Sequence, residues 1–227
     1  MPRAPRSGTV ILVLENEVDP ENRYLGAEIA RLLSGAEYHV VVDDPDHPPV
    51  ERFDGVVLSG STDSVYADEH GEWFDVELDL VRRCVEESIP LLGVCYGHQI
   101  VNHALGGRVE ADRWRATLVE MTEYDQSPGS VLAGVDPVVP ALHGDLVVKR
   151  GDGMASVART AYDDNFCTRH REAPVWTVQF HPEFTADLDR RPDDWDPGEH
   201  SLAAVNASRV FDNFARAAGV APGGQRA

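Results

Sequence analysis

Lysine is almost missing from this chain. It occurs once, at Lys149, and arginine supplies nearly all the other positive charge. Twenty Lys and Arg against 39 Asp and Glu leave a net charge of -19. A phosphate-neutralising surface for nucleic acid is therefore not expected, and neither is attraction to an anionic membrane. So acidic a surface repels itself in dilute buffer. We read it as that of a halophile-like protein, adapted to high internal salt as in an acidic proteome; the alternative is an ordinary acidic cytosolic protein.

Cysteine is also scarce. Cys84, Cys95 and Cys167 are three in number, which gives no disulfide framework. No run approaches the ~18 apolar residues of a membrane span. "TVILVL", behind the basic "MPRAPRSG", is too short for a signal-peptide core and is bounded by acids. A cytoplasmic protein is the expectation. There is no internal repeat and no Gly-rich phosphate loop of the P-loop type. With 227 residues, 42% of them hydrophobic, the chain can bury one sizeable core.

What is present is an alternation. "TVILVL" (Thr9 to Leu14) is a β-branched apolar run of the kind that forms a buried parallel strand. "NRYLGAEIARLL" has helical apolar spacing, "YHVVV" and "DGVVLSG" read as strands, and "EWFDVELDLVRRCVEES" as an amphipathic helix. "IPLLGV" is the next strand, and "GHQIVNHALGG" a helix closed by Gly106 and Gly107. This predicts an α/β fold: a doubly wound, mostly parallel sheet with helices on both faces. In the second half, "RATLVEMTEY", "VVPALH", "DLVVKR", "MASVART" and "PVWTVQF" read as short strands of a mixed-strand extension, and "EHSLAAVNASRVFDNFARAAG" as a final helix. The expected domain is 9–218, with loose tails at 1–8 and 219–227.

Cys95 sits in "GVCYGHQ", between a strand and a helix. Three readings compete. It can be a small packing residue. It can be a metal ligand with His98 and His103, although no carboxylate or second cysteine completes a set, so no metal site is expected. Or it can be a nucleophile. A G-x-C-x-G turn projects the side chain from the strand's end, and its glycines permit a tight backbone. The helix N-terminus favours an anion at the sulfur, and the thiolate is the reactive form. The N–H of Tyr96 is placed for an oxyanion hole. A nucleophile needs a base with an orienting partner, and "VQFHPEF" offers His181 and Glu183.

"GVCYGHQ" with "VQFHPE" resembles the class I, triad-type glutamine amidotransferases, over most of the chain and in the same order. The resemblance implies a flavodoxin-like class I amidotransferase fold. It implies that Cys95 attacks the side-chain amide of glutamine, that His181 is general base and then acid, that Glu183 orients His181, and that a γ-glutamyl thioester is hydrolysed. "LSGS" resembles the loop whose glycine, here Gly60, offers the second oxyanion N–H. Gln99 matches a substrate-contacting glutamine, and "LHGDLV" a pocket-lining segment, here Leu142, His143, Gly144 and Asp145. From the residues alone, Asp145 reads as a turn residue and His143 as an exposed polar one.

"HGDLV" and "LSGSTDSV" are similar to segments of the amidotransferase part of GMP synthetase, a purine nucleotide enzyme, except that Ser61 and Thr62 stand where Gly-Pro is usual. The resemblance implies ammonia transfer to a partner synthetase subunit of the ATP-pyrophosphatase type. No cofactor is implied in this chain; ATP and Mg would belong to the partner. A hydrolase of another γ-glutamyl amide, and a non-catalytic interaction module, are the alternatives.

Other residues receive plainer readings. Cys84 and Cys167 are structural, and Trp73, Trp114, Trp176 and Trp195 are packing or surface-anchoring residues. Thr185 to His200 is an acidic, Pro-containing solvated loop, the alternative being a lid or partner contact beside His181. Arg108, Arg113 and Arg115 could bind an acidic group, though charged strand edges are commoner.

Overall fold

The structure, a computed structural model, describes residues 10–220. The expected tail 1–8, with Thr9 and residues 221–227, lies outside the described residues. Gly219 and Val220, also expected in the tail, instead close the last helix. Their N–H groups donate to Arg216 and Ala215 carbonyls, and Val220 packs on the core.

Five parallel strands form the centre, in the order β2 (Glu37–Val40), β1 (Ile11–Glu15), β3 (Gly55–Leu58), β4 (Leu91–Val94) and β10 (Val175–Val178). β9 (Cys167–His170), β8 (Met154–Arg159) and β6 (Glu123–Tyr124) continue the sheet antiparallel beyond β10. β1, β3, β4 and β10 are buried at every position because both faces are covered, whereas β2 at the edge is partly exposed. Along β1, Ile11 and Val13 face a core that includes Ile29 of α1 (Tyr24–Leu32) and Phe211 and Phe214 of α4 (Arg209–Ala217). Leu12 and Leu14 face the opposite core, with Leu80 and Val81 of α2 (Glu72–Glu86) and Ile100 of α3 (Tyr96–Ala104). Period-two alternation in the strand thus serves two layers of helices.

The second half departs from the expectation in three ways. "VVPALH" and "DLVVKR" are one strand, β7 (Val138–Lys149), which pairs with β5 (Arg108–Glu120) in a separate two-stranded antiparallel sheet. Gly144 and Asp145, read as a break, continue the strand, because the long ladder with β5 outweighs their weak strand preference. The strand at Cys167–His170 had no alternating signal, being buried at three of its four positions. The final helix is shorter than its apolar pattern: residues 202–204 form a separate 3-10 turn before α4.

The doubly wound order places a switch point between β1 and β3, with β2 and β4 outside them. Crevices open there, at the carboxyl ends of the strands.

Candidate active site

β4 ends at Val94, and α3 begins at Tyr96. Cys95 makes the whole turn, with φ 51 and ψ -103, a left-handed conformation strained for a residue with a Cβ. Its N–H is tied to the Val178 carbonyl of β10, so the strained turn is anchored in the sheet. Gly97 is required two residues on: a Cβ there would strike the Leu58 carbonyl of β3. Cys95 is buried, and opens onto a cavity of about 570 Å³.

β10 brings the second group. Beyond Val178, the N–H of His181 bonds the Pro140 carbonyl of β7, fixing the turn. His181 Nδ1 lies 2.6 Å from Glu183 Oε1, and both side chains are sealed from solvent. His181 Nε2 lies 3.2 Å from the Leu142 carbonyl, and Cys95 Sγ 3.6 Å from that same oxygen. Burial pushes His181 down, but the charges of Cys95 and Glu183, with hydrogen bonds to both, outweigh it and hold the imidazolium well above the usual imidazole range. An acceptor at each ring nitrogen agrees with that protonated form.

A thiol on a strained elbow, an imidazole beside it and a carboxylate behind the imidazole form the arrangement that nucleophilic catalysis requires of a nucleophile, a base and an orienting group. Gly60, one residue past Ser59, lies over them; a Cβ there would sit 3.0 Å from His181 Cε1 and 3.6 Å from Cys95 Cβ. Tyr96 N–H opens the helix, where amides lack intrahelical acceptors.

The remaining expected residues also gather here. Gln99, Leu142, His143, Gly144 and Asp145 all line the cavity. Two differ from what their residue types suggest alone. His143 is buried rather than exposed, with Nε2 3.1 Å from Tyr162 Oη, and burial lowers it to about 4. Asp145 is a strand residue whose carboxylate accepts from Ser64 Oγ and Tyr66 Oη, each at 2.7 Å. Arg115 is buried rather than on an open strand edge: its guanidinium lies 3.8 Å over the Tyr162 ring and pairs with Asp112 at 2.5 Å.

One contributor was missed. Gln179 donates from Nε2 to Cys95 Sγ at 3.6 Å and accepts from Gln99 Nε2 at 3.3 Å. Its place two residues before His181 was the available signal. The loop 185–200 is not merely solvated. Arg190, Arg191, Pro192 and Asp193 wall the cavity, held by Trp114 Nε1 donating to Asp194 at 2.6 Å and by the Asp196 N–H donating to the Ala116 carbonyl. The Trp195 ring packs tilted against Phe184, centroids 4.6 Å apart, and Trp114 is exposed at the same rim.

His98 is fully buried, 2.7 Å from Thr177 Oγ1, and lowered to about 3 by burial. Among the described residues no group of three His, Cys, Asp or Glu is arranged to hold a metal, and no helix is long and apolar enough to cross a membrane.

The sequence matches the family model "Glutamine amidotransferase class-I" over residues 24–191, so this chain belongs to that family. It is 33% identical over 152 residues to the glutamine-hydrolysing GMP synthase of Carboxydothermus hydrogenoformans, a match covering 61% of this chain and 27% of that protein. It is 36% identical over 134 residues to the GMP synthase of Bacillus pumilus, covering 57% and 24%. The matches thus span about a quarter of those relatives. A glutamine amidotransferase from Methylobacillus flagellatus shares the fold, with TM-score 0.66 and 16% identity over 96% of this chain and 98% of that one.

Proposed function

We propose that this chain hydrolyses glutamine through a Cys95 thioester and passes the ammonia to a synthetase partner. The observation that carries the reading is Cys95 at φ 51 on the elbow, sharing the Leu142 carbonyl with a His181 bonded to Glu183. The Cys95 thiolate adds to the amide carbon, and the oxyanion is taken by Gly60 and Tyr96 N–H groups. His181 gives its proton to the departing nitrogen, and ammonia leaves. His181 then takes a proton from water, which adds to the thioester; glutamate leaves, and the sulfur departs as thiolate beside the imidazolium. Glu183 holds the ring and its charge throughout. Gln99, His143 and Asp145 shape the pocket for the amino acid.

The match to a quarter of glutamine-hydrolysing GMP synthases supports a partner of the ATP-pyrophosphatase type, with GMP as its product; ATP and Mg would act there. The test is release of glutamate and ammonia from glutamine, with and without such a subunit, beside Cys95→Ala. Cys95-dependent, partner-stimulated release is expected. Release untouched by Cys95→Ala would overturn the reading.

The cavity favours a second reading. About 570 Å³ is within the range of drug-sized ligand pockets and exceeds what one free amino acid fills. A larger γ-glutamyl amide would use the same three groups. Partner-independent hydrolysis of γ-glutamyl amides faster than of glutamine would select it.

A further inference from the structure

We infer that Glu17, with Glu15 and Asn16 beside it, is a positioning clamp that sets the Gly60 oxyanion loop. The inference rests on the function proposed above. Thr62 meets Glu17 through both its backbone and its side chain. Thr62 N–H donates to Glu17 Oε2 at 2.9 Å, and Thr62 Oγ1 donates to Glu17 Oε1 at 2.6 Å. Two hydrogen bonds to one carboxyl group restrain the backbone at Thr62.

The near side of Gly60 is held from the same tripeptide. Ser59 Oγ donates to Glu15 Oε1 at 2.6 Å and accepts from the Asn16 N–H at 2.9 Å, while the Ser59 carbonyl accepts from Gly97 N–H at 3.1 Å. Glu15 Oε1 also accepts the Glu17 N–H at 3.0 Å, which joins the two anchor points. Gly60 is therefore spanned between fixed neighbours at 59 and 62, with the Cys95 and His181 side chains against it. The site of Glu15 is built for the carboxylate. Gly26, inside α1, would drive a Cβ into that carboxylate, and a helix-interior glycine costs about 1 kcal/mol relative to alanine. Tyr38 Oη donates to the other oxygen at 2.8 Å. The far end of the loop is fastened separately, through Ser64 and Tyr66 to Asp145.

The clamp is tested by steady-state glutamine hydrolysis in Glu17→Gln, Thr62→Val, the double variant and Thr62→Ser. Loosening one oxyanion donor is expected to lower kcat about 10- to 100-fold with KM within about threefold, since the loop acts on the transition state. The double variant should be no worse than either single one, and Thr62→Ser should keep wild-type kcat. A rise in KM at unchanged kcat in Glu17→Gln, with Thr62→Val silent, would make Glu17 a substrate ligand and overturn the clamp. Hydrogen exchange of the 59–66 amides reads the same clamp without turnover: exchange should quicken about tenfold or more in Glu17→Gln and Thr62→Val, and unchanged exchange overturns it. If wild type shows no Cys95-dependent hydrolysis, the proposed function fails while the exchange result still decides the clamp.

Discussion

His181 Nδ1 and Glu183 Oε1 are 2.6 Å apart beyond the end of β10, both buried, with His181 at the wall of the cavity. The pair fixes which ring nitrogen faces Cys95 and keeps the ring charged. Glu183→Gln should therefore lower kcat on the order of 10³-fold. It should also move the alkaline limb of the pH–rate profile to lower pH, because one charge that raises His181 is gone. The sign for stability follows from a folded pKa above the unfolded one, about 6.5: the stabilisation is complete below that pH and is lost as pH rises through the folded value. The Tm gap between wild type and Glu183→Gln should narrow in alkali. A gap constant from pH 6 to 10 would contradict this.

Gln179 offers its amide N–H to Cys95 Sγ and is itself held by Gln99. Replacing it by leucine removes a donor to the sulfur, a contact of roughly 0.5–1.5 kcal/mol. Alkylation of Cys95 by iodoacetamide at pH 7 should slow by about two- to tenfold, with the far-UV spectrum unchanged. Equal alkylation rates would remove Gln179 from the site.

Glu77 of α2 is wholly buried, and burial, only partly offset by a hydrogen bond with Asn16, raises it to about 8. The folded protein therefore holds this proton more tightly than the unfolded chain. Folding is favoured by it at low pH, and that advantage disappears as pH rises from about 4.5 to 8, about 4–5 kcal/mol in all. Glu77→Gln should be increasingly more stable than wild type across that window, then level off. Thermal melts at pH 5, 7 and 9 measure it; parallel curves would refute it.

A net charge of -19 repels itself over a Debye length of about 10 Å at 0.1 M salt, and only about 3 Å at 1 M. Tm should rise by several degrees between 0.1 and 2 M KCl. A flat response would leave the acidic surface without a role in salt adaptation.

The sequence by itself determined the chemistry-bearing turns and the central sheet. A strand buried on both faces must be continuously apolar, so β1, β3 and β4 announced themselves. A thiol flanked by glycines at a strand-to-helix turn, followed far downstream by histidine and glutamate two apart, named Cys95, His181 and Glu183 as candidates. These signals are local, set by pleat, helix period and turn sterics.

Only the tertiary structure decided what lies between those groups. The Leu142 carbonyl that Cys95 and His181 share comes from β7, whose continuity through Gly144 and Asp145 rests on its ladder with β5. His143 is a buried residue and Asp145 a loop anchor because β5 and the 61–66 loop close over them. Glu17 and Thr62 are 45 residues apart, and nothing in either segment alone marks them as partners. Hydrogen bonds between distant segments depend on where the whole sheet puts its strand ends, and that is a property of the packed chain.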